Sequence, residues 1–270
     1  MPTSIFQRHL ATKSADKNAG VDDCSFELAI RSAGASVRGG RDYNEDRFYR
    51  SDRAQFYLVA DGMGGHLGGA MASQIAMETI PMVWQSRIRQ NTLSYSGIRS
   101  AYGDALSSAT REMSAAVSDH PEYDRMGCTL AVAFVYCGRM YFGHVGDCRI
   151  YLLHRNKLTR LTKDETLVQG LIDAGAIDAH QARVHRWRHI VTNSVSPQGL
   201  QQPSRLRSAQ IDMGDRVMLT SDGLTDELAD DEIRQIMASC FDPQECVDQL
   251  IRAALDRNAR DNVSCVVFQT

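Results

Sequence analysis

Residues 129–161, TLAVAFVYCGRMYFGHVGDCRIYLLHRNKLTRL, decide the fold. Thr129 to Tyr136 is almost continuously apolar, which predicts a strand buried on both faces. Cys137-Gly138-Arg139 is a short connection to a second strand, Met140 to Val145, and Arg149 to Leu153 continues the series. Arg155-Asn156-Lys157 reads as a hairpin turn before Leu158 to Leu161. Connections this short join antiparallel neighbours. A strand buried on both sides needs a covering layer on each, and the chain offers a second sheet for one side and helices for the other.

Working outward, Gln55 to Ala60 reads as a buried strand that stops at Asp61-Gly62. Two helical stripes follow: Ala72, Ile75, Ala76, Ile80, Val83 and Trp84, then Ile98, Tyr102, Ala105, Leu106, Ala109, Met113 and Ala116. Pro81 is expected to kink or break the first. Toward the C-terminus, Arg216 to Thr220 is a strand ending at Asp222-Gly223, helices cover Asp231 to Ser239 and Pro243 to Asn258, and Val263 to Phe268 is a closing strand. Glu165 to His189 is helical in parts and rich in His and Arg, and reads as a surface insertion or flap. Residues 1–25 read as a flexible polar tail, with order expected from a strand-like stretch at Phe26 to Ile30, so that 26–270 forms one domain with its flap at 165–189.

Composition narrows the function. With 43% hydrophobic and 23% charged residues the chain is an ordinary globular protein, and its net charge of -3 supplies no basic face for nucleic acid. The start lacks an apolar h-region and the longest apolar run is too short to cross a bilayer, so a cytoplasmic location away from membranes is expected. Seven cysteines without a C-x-x-C pair are expected to be reduced thiols, most of them buried.

The aspartates carry the chemistry. Asp61, Asp147 and Asp222 each end an apolar strand beside a glycine, and Asp261 stands just before the last strand. A single Asp-Gly is ordinarily a turn. Strand ends of one sheet system converge on a rim, however, and carboxylates gathered there repel one another unless a cation lies between them. Hard divalent ions such as Mg²⁺ or Mn²⁺ suit such oxygens. No HExxH, histidine pair or cysteine cluster supports zinc.

Asn44-Glu45-Asp46, Val59 to His66 (VADGMGGH), Gly127-Cys128-Thr129, Val145 to Arg149 (VGDCR), Leu219 to Leu224 (LTSDGL) and Asp261 to Ser264 (DNVS) occur in that order. With this ordered set the chain, from about Phe26 onward, resembles the metal-dependent serine/threonine phosphatases of the PPM type (protein phosphatase 2C-like) in their bacterial form. The resemblance implies an α+β fold, a four-layer αββα sandwich of two antiparallel sheets flanked by helices. It implies that Asp61 bridges two Mn²⁺ or Mg²⁺ ions, that the Gly62 carbonyl contacts one, and that Asp222 and Asp261 hold the other. Glu45 and Asp46 would act mainly through waters on the ions, and Asp147 with Asp222 would serve a weaker third ion. Arg41 matches the arginine that grips the substrate phosphate, and His185 aligns loosely with a flap histidine given a catalytic or substrate role. The implied reaction is hydrolysis of phosphoserine and phosphothreonine in proteins by metal-activated water, without a phosphoenzyme. The partners implied are phosphorylated proteins and a cognate Ser/Thr kinase, and a monomer is expected. The alternative is a catalytically weak or inactive phosphoprotein-binding module on the same fold. Departures from the family pattern are Met63 where eukaryotic members carry a histidine, Gly39-Gly40-Arg41-Asp42 in the first loop, and Cys128 and Cys148 for the usual Thr and Ser. His66 is a second candidate for the proton donor.

Overall fold

The apolar run at 127–136 is explained by what lies on either side of it. In the computed structural model, which describes residues 29–90 and 93–270, this run is strand β4, Gly127–Tyr136. Its Leu130, Val132 and Phe134 point into one core and Ala131, Ala133 and Val135 into another. Neighbouring β3, Phe56–Met63, alternates likewise, with Phe56, Leu58 and Ala60 in the first core and Tyr57 and Val59 in the second. This period-2 alternation between two apolar layers makes both strands hydrophobic at nearly every position.

Two five-stranded antiparallel sheets result. One runs β2 (Arg47–Ser51), β3, β4, β5 (Arg139–Val145), β8 (Arg207–Gln210). The other runs β1 (Arg31–Val37), β10 (Val263–Gln269), β9 (Arg216–Thr220), β6 (Arg149–His154), β7 (Lys157–Arg160). Their facing sides share a core that includes Tyr57, Phe142, Ile150, Leu219 and Phe268, in which Tyr57 and Phe268 stack across the sheets at 4.2 Å. Helices α1 (His66–Gln90) and α2 (Tyr95–Asp119) close the outer face of the first sheet, where Trp84 lies 3.8 Å from Phe134. Beyond β9 come the short α5 (Asp222–Thr225), α6 (Asp230–Ser239) and α7 (Pro243–Leu255), and the last two cover the second sheet through Ile233, Met237, Val247 and Leu250. The four-layer αββα order expected from the sequence is therefore present.

Four local expectations are corrected or bounded. Helix α1 runs unbroken through Pro81. A proline inside a helix costs about 3 kcal/mol, and burial of Ile80, Pro81 and Trp84 against β3, β4 and α2 offsets it. The first described strand begins at Arg31 rather than Phe26, because Ala29 and Ile30 are irregular and residues 1–28 lie outside the described part. The expected polar tail and part of that strand fall there. The second late helix ends at Leu255 rather than Asn258, and Asn258 takes the left-handed φ of 60° that terminates it. Finally, Cys128, Cys148, Cys240, Cys246 and Cys265 are free and buried as expected, whereas Cys137 forms a disulfide.

The segment expected to be a flap leaves and rejoins the domain at a pinch. Thr192 N–H donates to the Glu165 carbonyl at 2.7 Å, and Leu167 N–H to that of Ile190 at 2.8 Å. Between them lie α3 (Leu167–Asp173), capped by Thr166, and α4 (Ala179–Arg183), opened by a capping box of Asp178 and Gln181.

Candidate metal centre

Strand register brings the acidic residues to one end of the sandwich. Val37 pairs with Val263 and Thr220 with Cys265, so the end of β1, the start of β10 and the end of β9 adjoin. In the other sheet Arg47 pairs with Ala60, Asp61 with Thr129, and Leu130 with Val145. Glu45, Asp46, Asp61, Asp147, Asp222 and Asp261 thus lie at or just beyond strand ends on a common rim. Asp46, Asp61, Asp222 and Asp261 are also joined electrostatically, each of the others contributing to the raised pKa of Asp61.

Each position is locally held. Gly146 takes a φ of +85°, and a Cβ there would meet Thr129 Cβ at 2.6 Å, so only glycine turns the chain into Asp147. The Gly146 N–H donates to Glu165 Oε2, which also accepts from Asn193 Nδ2. At Gly62 a Cβ would stand 2.1 Å from the Gly69 carbonyl oxygen, so this glycine is required by close packing of β3 on the first turn of α1. Asn262 Oδ1 accepts from Glu45 N–H, while its Nδ2 donates to the carbonyls of Arg38 and Tyr43, all at 2.8 Å. One buried amide thereby fastens the Arg41–Asp46 loop to the head of β10. Gly39 rests on the Asp261 carbonyl, at a φ of +58°, which accounts for the first glycine of the pair before Arg41.

The electrostatics fit a bound cation. Ser221 Oγ donates to Asp46 Oδ2 at 2.7 Å, but buried Asp46 Oδ1 and Asp222 Oδ1 have no hydrogen-bond partner. Burial pushes the Asp46 carboxyl up to about 6, against the opposing hydrogen bonds of Ser221 and Ser264. Burial, then the nearby Asp164, takes Asp147 up to about 6. Asp61 and Asp222 are raised by burial and then by their fellow carboxylates. Arg41 Nη2 bonds Asp261 Oδ2 at 2.6 Å with its side chain 57% exposed. Orphaned oxygens in a mutually repelling, oxygen-only donor set suit a hard divalent ion.

The sequence reading did not single out an adjoining cluster that could hold an ion. Asp226, four residues after Asp222, and His189 at the end of the flap approach Asp222 so that one ligand atom from each lies within 4.8 Å of the others. Arg188 Nε also lies 3.8 Å from Asp226. The i, i+4 spacing of Asp222 and Asp226 on one helical turn was the available signal; nothing local marked His189. His185, the flap histidine singled out from the sequence, instead accepts from Trp187 N–H and meets that ring edge-on at 5.3 Å. The side chain of His66 lies outside the described part. Cys128 and Cys148 are buried, with Cys148 Sγ 3.2 Å from Thr129 Oγ1, as packing residues.

Residues 33–260 match the family model described as protein phosphatase 2C, a match that ends one residue before Asp261. The chain is 33% identical over 241 residues to the serine/threonine protein phosphatase PstP of Mycobacterium tuberculosis, covering 89% of this chain and 45% of that protein. It thus spans about half the length of that relative. It is 28% identical to the protein phosphatase PhpP of Streptococcus pneumoniae over 87% of this chain and 93% of that one. Among solved structures, it is similar to the PstP catalytic domain in complex with two manganese ions, at a TM-score of 0.74 and 30% identity, covering 89% of this chain and 97% of that one.

Proposed function

This chain belongs to the protein phosphatase 2C family, and on that premise we propose that it hydrolyses phosphoserine and phosphothreonine in proteins at a dinuclear Mn²⁺ or Mg²⁺ centre. The observation that carries the reading is the rim of Asp46, Asp61, Asp147, Asp222 and Asp261, with buried carboxylate oxygens that lack any partner. Such ions, when bound, bring the pKa of water toward neutrality and draw off phosphoryl charge.

The chain's own residues do the rest. Asp61, the Gly62 carbonyl, Asp222 and Asp261 would hold the two ions. Asp147 and Asp222 would hold a third. Asn262 holds the Glu45 backbone and Ser221 holds the Asp46 carboxylate, so the Asp46 oxygens are presented with little reorganisation. Arg41 is anchored to Asp261 through one nitrogen and otherwise faces solvent, which leaves its fork open to orient a phosphate ester. The segment 165–189 serves as a flap, and His185 with Trp187 offers the substrate peptide a polar-aromatic surface. A non-catalytic binding module is not favoured, because no carboxylate of the set is missing.

We extend the proposal to a monomer in the cytoplasm, with 26–270 as the phosphatase domain, acting on phosphorylated proteins against a cognate Ser/Thr kinase. Among the described residues no helix is long and apolar enough to cross a membrane. The test is phosphate release from phosphothreonine, phosphoserine and phosphotyrosine peptides in Mn²⁺, Mg²⁺ and chelator. Release from the first two with metal alone is expected. Undiminished release in chelator, or none from folded, Mn²⁺-supplied protein, overturns the reading.

A further inference from the structure

At the end of β9 away from the acidic rim lies an open pocket of about 550 Å³. Its walls are the turn after β6, the start of β9 and the last turns of α6. Arg155, Arg216 and Arg234 line it beside Asn156, Gln235 and Ser239, and no acidic residue does. Three arginines lining one pocket in a protein of net charge -3 call for an explanation.

The nearby acids do not neutralise them. Asp215 is buried and already accepts from His154 Nδ1 at 2.8 Å and from Asp212 N–H at 2.9 Å. Asp231 is 93% exposed and 4.0 Å from Arg234 Nε. Arg216 donates to neutral groups, Gln269 Oε1 and the Met237 carbonyl, and Arg234 Nη1 donates to Asn156 Oδ1 at 3.2 Å. Arg155 has no hydrogen bond or ion pair among the described residues. It is held at a left-handed φ of 46°, followed by Asn156 at 66°, so the tight turn fixes where it stands.

We propose that this pocket is a second phosphate-binding site, which takes a phosphomonoester dianion carried on a polypeptide. Guanidinium forks match phosphate oxygens in pairs, which suits a dianion better than a carboxylate. The volume falls in the range of ligand pockets and far exceeds what bare phosphate fills, leaving room for the side chain that carries it. No aromatic residue lines the pocket, so nothing would stack on the base of a nucleotide. The site rests on the phosphoprotein reading only for the identity of the carrier. A substrate or partner bearing a phosphate here would be held away from the hydrolytic rim and so keep it.

The test uses Asp61→Asn protein in chelator, so that no turnover occurs and the unfilled acidic rim repels anions. A fluorescein-labelled phosphothreonine peptide is followed by anisotropy, with the unphosphorylated peptide and inorganic phosphate as competitors. Binding that requires the phosphate is expected, weakened roughly tenfold or more by Arg155→Ala with Arg234→Ala, and displaced by free phosphate only at much higher concentration. The Arg41→Ala change should leave it intact. The melting temperature of the double variant establishes folding, and Arg155→Lys should restore binding in part. Unchanged affinity in a folded double variant overturns the proposal. Loss through Arg41→Ala, or equal competition by inorganic phosphate, overturns it as well. Because the measurement needs neither metal nor hydrolysis, its failure is separable from failure of the phosphatase reading.

Discussion

The two ends of β9 handle charge in opposite ways. At its C-terminal end, carboxylates are sunk into the protein, two of their oxygens have no partner, and burial raises their pKa values. At its N-terminal end, arginines line an open pocket in contact with water. Burying like charges is costly while exposing them is nearly free. The acidic rim is therefore a strained arrangement whose ligand must supply folding energy, whereas the arginine pocket carries no such debt.

The comparison breaks if the rim is not under strain. Asp61→Asn or Asp222→Asn should lower phosphopeptide turnover by about a thousandfold or more, the scale of removing a metal's contribution to transition-state stabilisation. In chelator the same substitutions should raise the melting temperature, since each removes a buried repelling charge. A fall in melting temperature would show that the rim is compensated in some other way. Asn262→Ala should cost about 2–4 kcal/mol, because three hydrogen bonds go and buried backbone groups are left unpaired; denaturant unfolding measures it. Arg41→Ala should lower kcat/KM roughly 10- to 100-fold with little change in stability, as expected for a charge-assisted contact made to substrate.

A pH scan of melting temperature in chelator sharpens the contrast. Asp46 and Asp147 sit at about 6 in the folded protein, above an unfolded value near 3.9. Between those values the native state binds more protons than the unfolded chain, so these two groups should make stability fall as pH rises from about 4 to 6, and the raised Asp61 and Asp222 act in the same direction. Saturating Mn²⁺ should abolish this fall. The smallest effect belongs to the other end: Arg155→Ala should change stability by less than about 0.5 kcal/mol.

Much of the rim was legible because its grammar is local. An apolar strand, a glycine and an aspartate recur at Asp61, Asp147 and Asp222, and the antiparallel layers follow from short connections after Tyr136 and His154. What sequence did not disclose depends on distant parts. Pro81 should have stopped a helix judged on propensity alone, but tertiary burial carries α1 through it. β2 and β8 are half-exposed and lack a strong pattern. His189 reaches Asp226 only because the pinch at Glu165–Thr192 folds the flap back, and the arginine pocket joins residues from 153 to 239.

Strand β10 lies between β1 and β9, with Asp261 and Asn262 at its head. On the ribosome, β1 therefore waits without its neighbour, and the Arg41–Asp46 loop without its amide clasp, until this late strand emerges. The acidic rim can therefore assemble only once residues through β10 have been made, in one closing step.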